Sequence, residues 1–430
     1  MKVFKFGGAS VKDAEAVKNV ATILKRYPNE NIVVVVSAMG KVTNALERLT
    51  NAFFYSEKNK TNGTENAALV LEEIKKYHFD IIGQLFPDKN HSIYNEINNV
   101  FVELDWAIED KPSHSYDHEY DQIVSIGEIV STKIVAAYLN QVGIKSIWRD
   151  VRDFIQTDNT YREGRVNWEL TQSLIDKNLT SALSKGEGVV VTQGFIGGTS
   201  ENFTTTLGRE GSDYSAAIIA YTTDAENVTI WKDVQGVLNA DPKWFAETKK
   251  IEHLSYQDAI ELAYYGATII HPKTIKPLQN KKIPLYVKSF LNPGETGTII
   301  NEDQSQLPVP CFLFKVDQVL LSISPKDFSF IVEENFSSIY KLFAEKQVKI
   351  NMMQNSAISF SVCIDNDVHK LADLIKTLQK EYRVLYNENL ELITIRYYDQ
   401  ATIDRVTLDK KVLLEVKSRY TVQLVVQNII

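Results

Sequence analysis

Residues 1–10 read MKVFKFGGAS, a short apolar strand that runs into Gly7 and Gly8 with Lys5 two positions ahead of them. A helix is expected from about Asp13 to Arg26, because Ala14, Val17, Ala21 and Leu24 recur at spacings of three and four. The next strand, NIVVVVSA at 31–38, is a continuous β-branched run of the kind buried on both faces of a parallel sheet. Strand, glycine turn, helix and buried strand together set the fold class. The turn's backbone N–H groups could hold a phosphate at a helix N-terminus, and the two glycines could equally form a plain turn.

The alternation continues outward from this unit. Helical material fills 41–110, a long helix is expected from about Tyr120 to Asn140, and strands read at 144–148, 188–195, 227–231 and 283–287. The result is an α/β domain over 1–290, a mainly parallel open sheet with helices on both faces. At 291–309 the composition turns to Pro, Gly, Asn and polar residues, which predicts a linker. Beyond it the order is strand, helix, two strands, helix and strand. That is a ferredoxin-like α+β unit over 310–386, followed by a shortened second copy over 387–430 with little room for a second helix.

Composition bounds the function. The 430 residues are 44% hydrophobic and 24% charged with a net charge of −8, an ordinary globular balance that argues against a nucleic-acid footprint. No run of about 18 uninterrupted apolar residues occurs, so no membrane partner is expected. Two distant cysteines, Cys311 and Cys363, and the absence of an N-terminal leader point to a reduced cytoplasmic setting.

Four stretches carry chemistry. The first is KFGG at 5–8. In the second, TTTLGREGSDYSAA at 204–217, Gly208 and Gly211 permit unusual backbone angles, Ser212 suits a helix cap and Arg209 could grip a carboxylate in bidentate fashion. Asp213 falls in the first helical turn. The third is Glu128, a lone carboxylate in an apolar stretch that could hold an ammonium group or face water. The fourth, IWKDVQGVLNADPK at 230–243, could hold a nucleotide or form ordinary turns. His114 and His118 have metal-ligand spacing, but no third ligand is apparent in sequence, so they read as part of a solvated acidic segment. His271 before Pro272 reads as a helix start. No metal-ligating residues are expected.

The order and spacing of KFGGAS, VVSAMGKVTN (35–44), Gly127–Glu128, TTTLGREGSDYSAA, WKDVQGVLNADPK, GATIIHPKT (266–274) and FLNPGETGT (290–298) resemble the aspartate kinases. That family joins an amino-acid-kinase fold to C-terminal ACT domains, and the likeness extends to about residue 365. It implies ATP and Mg²⁺ as cofactors and L-aspartate as substrate. Lys5, Gly7 and Gly8 match the phosphate-contacting positions. Ser37, Thr43, Glu128, Phe195, Arg209 and Ser212 match substrate positions, with Glu128 taking the ammonium group and Arg209 the α-carboxylate. Asp213 matches the residue that organises the catalytic lysine, so Lys5, Asp213 and Arg209 form the expected catalytic set. Lys232, Asp233, Leu238, Lys243 and Thr268 fall at nucleotide positions. The family usually carries lysine where Thr268 stands, a frequent threonine where Ala9 stands and a frequent glycine where Glu210 stands.

The implied reaction is attack of the β-carboxylate of aspartate on the γ-phosphorus of ATP, the first step of aspartate-derived amino acid synthesis. A carboxylate with a pKa of about 4 is already ionised at neutral pH, so no general base is required. The ACT resemblance also implies a homodimer and an amino-acid effector, lysine or threonine, with Asn351 and Ser356 as contacts. The chain stops short of a dinucleotide-binding domain, as monofunctional members do. Two other readings compete: another carboxylate kinase of the same fold, and a catalytically inactive amino-acid sensor.

Overall fold

The computed structural model describes residues 1–55, 66–180, 188–245, 247–267, 270–303, 309–327 and 329–429. It divides into two compact units, the first comprising Met1–Val237, Glu252–Ile260 and Ile269–Gln304 and the second Leu238–Ile251, Glu261–Thr268 and Ser305–Ile430.

The first unit is built on an eight-stranded sheet. Its strands are β1 (Lys2–Phe6), β2 (Ile32–Val36), β3 (Ser146–Trp148), β4 (Val189–Gln193), β7 (Asn227–Lys232), β10 (His253–Ser255), β11 (Leu285–Ser289) and β12 (Thr298–Asn301). In space they run β10-β12-β11-β7-β1-β2-β4-β3. Every pairing is parallel except β11 with β12. β1 lies between β2 and β7, with Lys5 opposite Val35 and Ile230. All five residues of β2 are buried, as a β-branched run covered on both faces requires. One ribbon supplements the sheet, β5 (Ile196–Gly198) with β6 (Thr204–Thr206); another, β8 (Val237–Leu238) with β9 (Lys250–Ile251), falls in the second unit apart from Val237.

The early helices are α1 (Ala14–Leu24), α2 (Val42–Phe54), α3 (Ala67–Leu85) and α4 (Ser92–Glu109). Asp13 caps α1 by accepting the Ala16 N–H. The long helix expected from Tyr120 to Asn140 is two helices, α5 (Tyr116–Val124) and α6 (Ile126–Gln141). They break at Ser125, whose hydroxyl donates to the Gln122 carbonyl instead of continuing the apolar face. From Tyr116 to Gln141 the chain is long and apolar enough to cross a membrane by composition, yet 72% of its apolar 18-residue segment is buried inside the fold, as in a core helix.

α7 (Trp168–Ile175), α8 (Gly211–Thr222), α9 (Tyr256–Tyr265) and α10 (Pro272–Lys281) complete the helices before residue 304. His271 caps α10 through its ring nitrogen, as a helix-start residue should. The predicted linker at 291–309 is corrected. Thr298–Asn301 form β12 inside the sheet, because Leu285–Val287 of β11 offer an open antiparallel edge that the Pro-Gly turn at 293–294 returns the chain to meet.

The second unit carries a six-stranded sheet ordered β14-β15-β13-β16-β18-β17. Its elements are β13 (Cys311–Pro325), α11 (Glu333–Glu345), β14 (Ile350–Asn355), β15 (Phe360–Asp365), α12 (Val368–Leu378), β16 (Tyr382–Arg396), α13 (Gln400–Thr407), β17 (Lys410–Lys417) and β18 (Thr421–Asn428). β13 and β16 each span 15 residues and shift register between Lys315 and Leu320, near Asp317 and Asn389, which take left-handed backbone angles. Each long strand thereby serves two ferredoxin-like units.

The first of these units uses 318–325 and 382–390 with β14, β15, α11 and α12 over a core that includes Val319, Leu321, Phe360 and Leu374. The second uses 311–315 and 391–396 with β17, β18 and α13. The expected boundary at 386/387 therefore falls inside β16. The second copy has one helix, as its length suggests, and Ala240 and Phe245 join Phe312, Ile393, Ile395 and Leu424 in its core. An earlier segment of the chain thus covers a face that a second helix would otherwise fill.

Candidate active site

The carboxyl ends of β1 and β7 and the N-terminus of α8 meet around a cavity of about 590 Å³ in the first unit. Such a position outside the carboxyl ends of parallel strands is where open α/β sheets bind ligands. The lining carries four cations, Lys5, Arg162, Arg209 and Lys232, and four carboxylates, Glu128, Glu163, Glu210 and Asp213. Formal charge is matched overall, so the chemistry depends on where each sign sits.

Lys5 rises from β1 toward the first turn of α8, where its ammonium lies 2.6 Å from Asp213 Oδ1. Lys232, the last residue of the neighbouring strand β7, lies 4.0 Å from Asp213 Oδ2. Asp213 is 3% exposed. One buried carboxylate therefore orients two ammonium groups from adjacent strands, beside a helix N-terminus that itself favours anions.

The glycines have separate tasks. A Cβ on Gly8 would come within 2.7 Å of the Gly40 carbonyl and 2.8 Å of that of Ala38, so Gly8 lets the turns after β1 and β2 touch. A Cβ on Gly7 would stand 3.4 Å from the Lys5 ammonium. Neither glycine lines the cavity; their effect on it runs through Lys5 and the 37–40 turn.

Glu128 is placed by the residue before it. A Cβ on Gly127 would sit 2.9 Å from Ala38 Cβ and 3.0 Å from Leu46 Cδ1, so only glycine lets α6 approach this turn. Glu128 Oε1 then accepts the Ala38 N–H at 3.2 Å, and Oε2, buried, has no hydrogen-bond partner among the described residues. Burial pushes the Glu128 carboxyl up to about 8, against the opposing pull of the Ala38 N–H and the Lys5 charge. An unsatisfied buried carboxylate oxygen facing a cavity is a receptor for a cationic donor.

Ser37 and Thr43 line the same cavity. The Ser37 N–H donates to the Phe6 carbonyl, and its own carbonyl accepts from the Ser131 hydroxyl at 2.6 Å. Phe195 takes a left-handed angle, φ 69°, and its N–H donates to Ser215 Oγ. The Phe195 ring occupies the space that a Cβ on Gly211 would need, at 2.7 Å. Arg209 is exposed, and its guanidinium forms no ion pair among the described residues. Ser212 lies in the first turn of α8 and lines the cavity, but the helix begins at Gly211 with Glu210 as N-cap, two residues before the expected Ser212 cap.

Glu210 itself has φ 54°. Its left-handed angle supplies the physical reason for the glycine frequent at this position in the resembled family. The strain costs about 1 kcal/mol, so Glu210→Gly should raise stability by about that amount in denaturant unfolding; an unchanged midpoint would show that contacts of the Glu210 side chain offset it.

Of the expected nucleotide positions, only Lys232 joins the cavity lining. Asp233 is exposed outside it. Leu238 and Lys243 belong to the second unit, where the Lys243 N–H closes a turn onto Asp241. Thr268 lies outside the described residues.

Sequence reasoning missed Tyr120, Asp121, Arg162, Glu163 and Thr206. Asp121 is fully buried and accepts from the Thr206 N–H and hydroxyl and from the Arg162 N–H, each at 2.8 Å. It thereby ties β6 and the 162 turn to the cavity wall, while burial pushes its carboxyl up to about 6. Its setting in an acid-rich run made it look solvated; only the inward face of α5 distinguishes it. Arg162 lies over the Tyr120 ring at 4.3 Å.

The same run contains the two histidines read as solvated. His118 is 5% exposed and stacks on His114 with ring centroids 4.1 Å apart, and Glu119 adds the third ligand type missing from the sequence pattern.

Comparison with known proteins fits this geometry. The family model for the amino acid kinase family matches residues 1–289. Aspartokinase 2, chloroplastic, of Arabidopsis thaliana is 31% identical over 402 residues, 88% of this chain and 70% of its own length. The chain belongs to the aspartokinases of the amino acid kinase family. Aspartokinase 1, chloroplastic, of Arabidopsis thaliana is 32% identical over 372 residues, of which this chain spans 63% of the relative's length. Crystal structures of Escherichia coli aspartokinase III, one with lysine and aspartate and one with aspartate and ADP, each align at a TM-score of 0.81 and 25% identity. They cover 99% of this chain and 95% and 96% of theirs.

Proposed function

We propose that the chain transfers the γ-phosphoryl group of ATP to the β-carboxylate of L-aspartate, giving 4-phospho-L-aspartate and ADP. The observation that carries this reading is the presence in one cavity of Glu128 and Arg209, the first with an unpaired buried oxygen and the second without an ion pair among the described residues, and of the Lys5–Asp213–Lys232 row. Glu128 and Arg209 suit the ammonium and α-carboxylate of an amino acid. The two lysines suit the phosphates and the approach of one anion to another. The E. coli relative bound to aspartate and ADP supports the same pairing.

Catalysis on this reading is positioning and charge neutralisation, because the attacking carboxylate arrives ionised. Asp213, the carboxylate nearest both lysines, is already neutralised by them. The Mg²⁺ that accompanies ATP would therefore rest mainly on phosphate oxygens and water, supplying further neutralisation of the phosphates.

Loss of the Arg209 guanidinium removes charge-assisted hydrogen bonds. Arg209→Ala should then raise KM for aspartate about 10- to 100-fold with a smaller change in KM for ATP. Steady-state kinetics in both substrates checks this, and an unchanged aspartate KM would remove Arg209 from the site. The reaction class is tested by ADP release with a panel of aspartate, glutamate, asparagine and N-acetylaspartate. Turnover confined to aspartate supports the proposal; turnover with another acid supports a different carboxylate kinase, and none with any supports an amino-acid sensor.

Regulation by an amino acid is assigned to the second unit, with the lysine-bound relative in support. Asn351 is buried there and already engaged: its Oδ1 accepts from the Lys315 ammonium at 2.8 Å and its Nδ2 donates to Gln318 and Asp365. An effector ammonium group would compete with Lys315 for that carboxamide. Ser356 is exposed and pairs with Ser359. Edge strands β14 and β17 of the six-stranded sheet are the surfaces through which a homodimer would extend that sheet.

A further inference from the structure

We propose that His114, His118 and Glu119 form a binding site for a divalent transition-metal ion of the zinc class, separate from the phosphoryl-transfer cavity. One potential ligand atom from each residue lies within 4.8 Å of the others. Tetrahedral coordination by two imidazoles and a carboxylate places ligand atoms about 2.0–2.2 Å from the ion, hence about 3.4 Å apart. The three need to close by roughly an ångström, and His114 can supply that motion: it is exposed and precedes α5, outside the helix.

The observation that points to a ligand is His118. It is 5% exposed, and neither ring nitrogen has a hydrogen-bond partner among the described residues. Every imidazole presents at least one N–H, and a neutral ring adds a lone pair, so burying both nitrogens unpaired is unfavourable. Its neighbours are aromatic: Tyr161 at 4.8 Å and Phe203 at 5.0 Å, both edge-on, and the stacked His114. No donor on these residues hydrogen-bonds either His118 nitrogen. A bound metal ion would take up the lone pair.

The surroundings are organised as they are around metal ligands. Glu119 Oε1 accepts the Ser113 and His114 N–H groups at 3.2 and 3.0 Å, which folds the segment back and holds His114 against Glu119. The Ser113 hydroxyl lies 2.8 Å from His114 Nδ1, a second contact that orients the ring. Two nitrogens and one carboxylate oxygen suit zinc, nickel or cobalt, and suit magnesium or calcium poorly, since those prefer all-oxygen shells. Three protein ligands leave a fourth position for water.

The test uses the full chain without a histidine tag, stripped with chelator and then freed of it. Zn²⁺ is titrated by calorimetry and by competition with a chromophoric chelator. One equivalent per chain is expected at micromolar Zn²⁺, with a rise in melting temperature. His114→Ala, which alters an exposed ring, and Glu119→Gln should each weaken binding by about tenfold or more. His118→Ala should abolish the single-equivalent binding and the thermal shift. His369→Ala, in the second unit, serves as the control and should leave both unchanged. Absence of stoichiometric binding in the parent protein, or one-equivalent binding that survives both His114→Ala and Glu119→Gln, would overturn the assignment; these two variants decide it even if His118→Ala does not fold.

Discussion

Replacing Lys5 with alanine is expected to lower kcat by about 10²- to 10³-fold while changing KM for aspartate little, the signature of a group whose main interaction develops in the transition state. The ammonium sits at the end of β1, 2.6 Å from Asp213, with Lys232 4.0 Å from the same carboxylate. On the proposed reaction, charge accumulates on the phosphoryl oxygens as the acceptor carboxylate nears the γ-phosphorus, and Lys5 would be the pre-positioned cation that meets it. Lys232 cannot substitute fully, because it reaches from the end of the neighbouring strand.

The same change leaves the buried Asp213 with its nearer partner gone, so part of any loss could come from unfolding. Asp213→Asn combined with Lys5→Ala separates the two effects. Unfolding measurements should show stability recovering in the double variant while kcat stays low. Near-normal kcat in a folded Lys5→Ala protein would sink the assignment.

Glu128→Gln is expected to raise KM for aspartate by about 10- to 100-fold, from loss of an ionic hydrogen bond to the substrate ammonium. Glutamine keeps an oxygen for the Ala38 N–H, so the fold of the 37–40 turn should survive. The pH dependence is more diagnostic. Burial holds the free Glu128 carboxyl protonated up to about 8, whereas the ammonium needs the carboxylate. Aspartate binding must therefore expel a proton below that pH, and KM should fall about tenfold per pH unit from 6 toward 8, then level off.

The glutamine variant should show no such slope from this group. For the free protein the sign is opposite: the stability associated with protonated Glu128 is fully present below the ordinary carboxylate pKa and is lost as pH rises through about 8. An aspartate KM independent of pH between 6 and 8 would show that Glu128 does not meet the ammonium.

Much of the first unit was legible because its signals are local. The all-buried run of β2, the strand-to-helix turn at Gly7 and Gly8, and the Gly208–Asp213 segment at the head of α8 each report their own surroundings. The cavity brings Lys5, Ser37, Thr43, Glu128, Phe195, Arg209, Ser212, Asp213 and Lys232 together, all of them anticipated. What stayed hidden depends on distant partners.

Asp121 resembles its exposed neighbours until three donors from 162 and 206 converge on it. Thr298–Asn301 read as linker because a four-residue strand in a Pro- and Gly-rich stretch is too short to show a periodic pattern, and the open edge of β11 recruits it. The second ferredoxin-like copy looked incomplete because its missing strand comes from 311–315 and part of its core from Ala240 and Phe245. Periodicity within 387–430 contains no trace of either.

The most direct measurement is hydroxylamine trapping of the product formed by the full chain with ATP, Mg²⁺ and L-aspartate. Trapping converts an acyl phosphate to a hydroxamate and leaves a phosphate ester or phosphoramidate untouched. The account predicts aspartyl β-hydroxamate in amounts equal to the ADP released, and its near-absence with Lys5→Ala. ADP released without hydroxamate, or hydroxamate formed equally well by Lys5→Ala, would contradict it.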